Sequence, residues 1–329
     1  MLILNAADVR ACLPMPDAIE AMRRAFVALT AGRADVPHRI HLNIPRHEGI
    51  SLTMPALVDD DAGTALAVKV VNLFARNAAR GLARIQSAVI AMEADTGRPL
   101  ALLDGAALTA IRTGAASGLA ADLLARKDSH AVALFGAGVQ ARTQLQAVCC
   151  VRDIRTACVY DTSPDAARSV AESLAGQPGF PPAICVADSP RDALAGADIV
   201  LAATTSPAPI FDDADLRDGA HVSAIGSYQP QVREIPPATV VRARVFVDSR
   251  PAALEEAGDL ILPIREGLIT SDHVVAELGE LLLGQAKGRT APDEVTFFKS
   301  VGVAVQDALA AQAALTRATR EGLGQRVAW

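Results

Sequence analysis

Ala131-Val132-Ala133-Leu134-Phe135-Gly136-Ala137-Gly138-Val139-Gln140-Ala141 reads as an apolar strand running straight into a Gly-x-Gly-x-x-Ala turn, after which the chain has a helical pattern. The first glycine allows a tight turn, the second lets backbone amides approach a pyrophosphate, and small Ala141 lets the helix pack closely on the strand. The phosphate charge then sits at a helix N-terminus, where unpaired N–H groups and the helix dipole favour an anion. Such turns also arise in α/β proteins that bind no nucleotide, so the surroundings decide. A second strand, Thr156-Ala157-Cys158-Val159-Tyr160-Asp161, ends in an acid 25 residues beyond Gly136, near the spacing at which a carboxylate meets the adenosine ribose hydroxyls. A carboxylate there repels a 2′-phosphate, which favours NAD (NADH) without excluding NADP. The competing reading of Asp161 is a strand-ending turn residue before Thr162-Ser163-Pro164.

Outward from the turn, strand and helix alternate: strands at 131–135, 157–160 and 197–203, helices at 140–148 and 164–174, and further strands at 221–225 and 245–247. That rhythm is the doubly wound α/β pattern, so a Rossmann-type dinucleotide-binding domain is expected over 126–301. The preceding stretch lacks the rhythm. Residues 16–29 form an amphipathic helix pattern, 51–55, 66–71, 86–91 and 100–103 read as strands, 93–99 as a hairpin turn, and 105–125 as a helix of small residues. This is an α+β domain over 1–125. The Ala-rich helix at 301–320 has no strand after it and is expected to return to the first domain, making 302–329 part of it.

At 329 residues the chain has room for two ordinary domains. A net charge of −6, with no basic run beyond Arg23-Arg24, argues against nucleic acid or an anionic membrane as partner. Met1-Leu2-Ile3-Leu4-Asn5 has no signal-peptide pattern and no segment offers about 18 uninterrupted apolar residues, so a cytoplasmic protein is expected. The five cysteines, Cys12, Cys149, Cys150, Cys158 and Cys185, are odd in number and form no Cys-x-x-Cys pair, so neither a disulfide nor a metal site is expected. Cys149 and Cys150 read as small buried hydrophobes on the helix after the glycine turn.

Several stretches together resemble the ornithine cyclodeaminase and mu-crystallin family over nearly the full chain. They are Ala67-Val68-Lys69-Val70-Val71-Asn72, Asn77-Ala78-Ala79-Arg80-Gly81-Leu82, Leu108-Thr109-Ala110-Ile111-Arg112-Thr113, the glycine turn, and Val301-Gly302-Val303-Ala304-Val305-Gln306-Asp307. The resemblance implies a homodimer in which each subunit pairs a substrate and dimerisation domain with the Rossmann domain, the active site lying in the cleft between them. It also implies nicotinamide chemistry on an amino acid or its imine. Lys69 and Arg112 match the family residues that hold the substrate α-carboxylate, with Arg39 as a third, looser match. A bidentate guanidinium suits a planar carboxylate. Without the resemblance, Lys69 reads as a chain snorkelling to solvent and Arg112 as a helix-surface ion pair.

Two departures from the family bear on the chemistry. Where the cyclodeaminases carry a proton-transferring aspartate, this chain has Gly226-Ser227-Tyr228. Where they carry a glutamate for the distal amine of ornithine, it has Leu52. A tyrosine can donate a proton but is a poor general base at neutral pH, so Tyr228 is a proton-donor candidate or a wall of the pocket. The site then suits a carboxylate with a cyclic or apolar remainder. Reduction of a cyclic ketimino acid of the Δ1-pyrroline-2-carboxylate or Δ1-piperideine-2-carboxylate class is expected. Ornithine cyclodeamination, an alanine-type dehydrogenase and a non-catalytic NAD(P)H-dependent ligand binder are the alternatives. The cofactor is expected to meet Gly136, Gly138, Val139 and Gln140 at the pyrophosphate, Asp161 and Thr204 at the sugars, and Gly226 and Thr113 toward the nicotinamide. Thr204-Thr205-Ser206 also reads as simple turn chemistry before Pro207.

Overall fold

The computed structural model describes residues 1–329 apart from the side chain of Ala78, which belongs to the quoted 77–82 stretch. The chain divides into two compact units, Met1–Arg112 with Val303–Trp329, and Thr113–Gly302.

The first unit is built from β1 (Leu2–Leu4), α1 (Ala6–Cys12), α2 (Met15–Thr30), β2 (Ala34–Asp35), β3 (Ile40–Ile44), β4 (Gly49–Asp60), β5 (Gly63–Phe74), β6 (Ile85–Met92) and β7 (Pro99–Asp104). It runs into α3 (Gly105–Leu124), within which the division falls. Strands β4 to β7 form an antiparallel meander, β3 pairs with β4, and β1 lies parallel to β7. Period-two alternation sorts the meander into two faces. One face presents Met54, Ala56, Ala65, Ala67, Val89, Ala91, Ala101 and Leu103, all buried. Its alanines allow close approach of the C-terminal helix, Ala304–Glu321, whose Ala308, Ala311 and Ala314 are themselves fully or almost fully buried. The opposite face, with Pro55, Val68, Ile90 and Leu102 in one register row, is apolar yet only half-buried.

The second unit contains β8 (Ala131–Phe135), α4 (Ala141–Val151), β9 (Thr156–Tyr160), α5 (Pro164–Leu174), β10 (Ile184–Val186), α6 (Pro190–Leu194), β11 (Ile199–Ala202) and β12 (His221–Ala224). It continues with α7 (Pro237–Arg242), β13 (Arg244–Val247), α8 (Arg250–Glu256), α9 (Gly258–Arg265), β14 (Val274–Glu277), α10 (Leu278–Leu282) and β15 (Thr296–Lys299). The sheet order is β10-β9-β8-β11-β12-β15-β13-β14, parallel throughout. Both faces are covered, which is why these strands are near-continuous apolar runs: Val132 and Leu134 enter one core cluster, Ala133 and Phe135 the other. The strand order reverses between β8 and β11, the switch point at which open α/β sheets bind ligands beyond the carboxyl ends of the strands. The fold is thus α/β with a Rossmann-type parallel sheet.

Several expectations need correction. The helix expected from 301 begins at Ala304, and β3, β10, β14 and β15 lie where no strand was expected. Cys158 and Cys185 are joined in a disulfide, contrary to the expectation of none. They are register partners on the adjacent parallel strands β9 and β10, with Cα atoms 4.5 Å apart, a proximity that parity and spacing along the chain do not report. Cys150 is exposed and Cys149 half-buried, so the pair is less enclosed than its helical setting suggested. Burial still pushes the Cys149 thiol up to about 12, which leaves it inert at neutral pH.

Candidate active site

In the first unit the structure gathers the expected substrate residues around a carboxylate to which the sequence reading gave no role. Lys69 lies in the middle of β5, in register with Met54 and Val89, on the buried face of the sheet. Its ammonium is 3% exposed and does not snorkel to solvent; it stands 2.6 Å from Asp307 Oδ2. Arg112 donates from Nε to Asp307 Oδ1 at 3.1 Å and from its terminal nitrogen to Gln306 Oε1 at 2.9 Å. The Gln306 oxygen also accepts the Val303 N–H, fixing the first turn of the C-terminal helix, which we label α11. One buried carboxylate therefore binds a lysine from a strand and an arginine from a helix.

Removing charges from water is costly, and the electrostatics record this. Burial pushes Lys69 down to about 8; Asp307 resists the fall, while the positive charges of Arg112 and Arg39 add to it. For Asp307, burial works to raise the pKa, but Lys69 and Arg112 together hold it below the usual carboxylate range. Arg39 directly precedes β3, two residues from His41, the register partner of Leu52. Leu52, half-buried, is on the Lys69 face of the sheet, since Leu52 and Met54 alternate with Thr53 and Met54 pairs with Lys69.

In the second unit, a cavity of about 580 Å³ opens at the switch point, bordered by Gly136, Gly138, Asp161, Thr204 and Ser206. Gly136 has φ +96°, and a Cβ there would lie 2.6 Å from the Ala203 carbonyl oxygen, so no other residue fits unstrained. At Gly138 a Cβ would meet no described atom within 4 Å, leaving space in front of the turn. Asp161 accepts the Ala137 N–H with one oxygen and the Ser163 N–H with the other, both at 2.8 Å, which clamps the glycine turn to the end of β9. A glycine turn with space before it, an acid at the next strand end and hydroxyls opposite fit a dinucleotide.

Val139, 83% exposed, Gln140 and Gly226 are outside the residues bordering this cavity, and Thr113 is buried on α3. Tyr228 follows β12 and is 45% exposed. Gly226 and Thr204 are nevertheless joined, both donating to the buried carboxylate of Glu234. Asp307 and Gln306 escaped a functional reading although Asp307 closes the quoted 301–307 stretch, because nothing local shows a pairing across 195 residues. No helix among the described residues is long and apolar enough to cross a membrane.

Comparison with known proteins gives a consistent result. The model of the ornithine cyclodeaminase/mu-crystallin family matches residues 1–321. A Δ1-pyrroline-2-carboxylate reductase of Bacillus cereus is 37% identical over 328 residues, 99% of each chain. The Δ1-pyrroline-2-carboxylate reductase of Thermococcus litoralis, solved in complex with NADH and L-proline, matches with a TM-score of 0.94 and 42% identity, covering 99% of this chain and 100% of its own. An archaeal alanine dehydrogenase dimer with bound NAD matches with a TM-score of 0.91 and 29% identity, over 100% of this chain and 99% of that one. This chain belongs to the ornithine cyclodeaminase/mu-crystallin family.

Proposed function

We propose that the protein is an NADH-dependent reductase of cyclic ketimino acids, converting Δ1-pyrroline-2-carboxylate or its six-membered homologue to the cyclic amino acid. The observation that carries this reading is the buried Lys69–Asp307–Arg112 cluster, in a chain 42% identical to a Δ1-pyrroline-2-carboxylate reductase solved with NADH and L-proline. Leu52 on the same sheet face supplies no counter-charge for the second amine of a diamine substrate, which sets the chain apart from a cyclodeaminase.

Arg112, with Arg39, binds the substrate carboxylate; the guanidinium plane matches it and fixes the ring. The imine nitrogen must be protonated before its carbon accepts a hydride, and the Lys69 ammonium supplies that proton. A lysine titrating at about 8 is well matched to this task, being loaded at neutral pH yet willing to release. Lys69 rather than Tyr228 is therefore the donor, and Asp307 holds it in place for reloading from solvent. NADH, when bound, supplies the hydride that completes the two-electron reduction of the C=N bond. Gly136, Gly138 and Asp161 would hold its adenosine and pyrophosphate, and Thr204 and Gly226 the other half.

We also propose a homodimer. Supporting it are the apolar, half-buried face of the β4–β7 meander and the dimeric state of the alanine dehydrogenase relative. The test of function is product analysis: with Δ1-pyrroline-2-carboxylate, one NADH is consumed per L-proline formed. Conversion of ornithine to proline and ammonia without net NADH change would instead make the protein a cyclodeaminase.

A further inference from the structure

Strands β11 and β12 are parallel neighbours, so the segments that follow them, beginning at Ala203 and Ile225, leave the same edge of the sheet. Between them sits Glu234, with no solvent exposure. Its Oε2 accepts the Thr204 N–H at 3.2 Å and the Thr204 hydroxyl at 2.9 Å; its Oε1 accepts the Gly226 N–H at 2.6 Å. The Thr204 oxygen meanwhile accepts the Ser206 N–H at 3.1 Å, which commits its own proton to Glu234. Every partner of Glu234 is therefore a donor, an arrangement that an ionised carboxylate satisfies and an amide cannot.

The carboxylate is itself held from behind. Asp259 Oδ1 accepts the Glu234 and Ile235 N–H groups at 2.8 and 3.0 Å, and its Oδ2 lies 2.9 Å from Lys299 Nζ at the end of β15. Glu234, Asp259 and Lys299 are all 0% exposed; Lys299 is paired with Asp259, and its charge also acts on Glu234. Burial raises the Glu234 pKa and Asp259 adds to it, with Lys299 and the donors opposing. Gly226 is pressed against the same group: a Cβ there would lie 2.1 Å from the Thr204 carbonyl oxygen and 2.6 Å from Glu234 Oε2. Such a costly buried charge serves packing poorly, since apolar residues would fill the space at less expense.

We propose that Glu234 is a positioning residue for the nicotinamide half of the cofactor site, tying the Thr204 segment to the Gly226 segment so that both present a fixed backbone to the dinucleotide. The inference rests on the NADH reading above. Thr204 and Ser206 border the switch-point cavity, so a shift at Glu234 is felt in its wall. The Asp161 anchor of the adenosine end is held separately, by the Ala137 and Ser163 N–H groups rather than through Glu234.

The test compares wild type with Glu234→Gln, measuring NADH affinity by its fluorescence, AMP affinity by calorimetry and the melting temperature. An amide turns one donor–acceptor contact into a donor–donor conflict, so NADH binding weakens about tenfold while AMP binding stays within about twofold. Glu234→Asp, which keeps the charge but is too short to span both segments, gives the same split and serves if the Gln variant does not fold. Unchanged NADH affinity in either variant, or equal losses of NADH and AMP, overturns the proposal. A wild type that fails to bind NADH overturns the cofactor reading as well, which separates the two failures.

Discussion

With its ammonium 2.6 Å from Asp307 and with Arg112 and Arg39 adding positive charge, Lys69 gives up its proton near pH 8 rather than in the usual lysine range. The protonated form is the one that reduces, so kcat/KM on the cyclic imine holds below about 8 and falls as pH rises through it. Asp307→Asn removes the group that sustains the charge while burial and the two arginines remain, so the falling limb moves to lower pH. A limb that stays in place in Asp307→Asn would refute Lys69 as the acid. Lys69→Met, which keeps bulk and loses the proton, lowers kcat/KM by about 10²- to 10⁴-fold. At this scale the family stretches single out Lys69 and Arg112, which the structure brings together on Asp307, and are silent on that carboxylate's role. Asp307, Glu234 and Lys299 find their partners on other segments of the chain, which their own local sequence does not show.

At the scale of elements, the glycine turn and the strand ends around it do the positioning. Gly136→Ala places a Cβ against the Ala203 carbonyl at a φ of +96°, which costs about 1–3 kcal/mol. For a unit of this size that lowers the melting temperature by about 2–12 °C, read by calorimetry, and NADH affinity falls with it. An unchanged melting temperature would show that the turn relaxes freely. Elements with a strong apolar pattern, the periodic α2 and β5 and the continuous run of β8, stood within a few residues of their sequence limits. The short ones did not: β10 has three residues, and β15 is Thr-Phe-Phe-Lys, whose terminal lysine looks like a surface residue until Asp259 is brought against it. The Cys158–Cys185 disulfide was hidden for the same reason, since register between strands is not written in either strand alone.

For the whole molecule, the half-buried apolar face of the first unit's sheet sets the expected assembly. Val68 sits in the row Pro55, Val68, Ile90, Leu102, where an arginine would place an unpaired charge in a closed interface. Light scattering after size exclusion should give twice the chain mass for wild type and the single-chain mass for Val68→Arg. A wild type at single-chain mass under the same conditions would remove the dimer from the account. The acidic balance, −6 overall, leaves substrate attraction to local cations, consistent with Lys69, Arg112 and Arg39 being gathered in one place.

The central claim is reduction of a carboxylate-bearing C=N bond, and isotopic transfer tests it most directly. Incubation of the protein with Δ1-pyrroline-2-carboxylate and NADH deuterated at nicotinamide C4, on the face the enzyme uses, should yield proline carrying one deuterium at its α-carbon, with NADH and product in equal amounts. Proline formed without deuterium from either C4 face, or formed from ornithine with ammonia released and NADH unchanged, would contradict it.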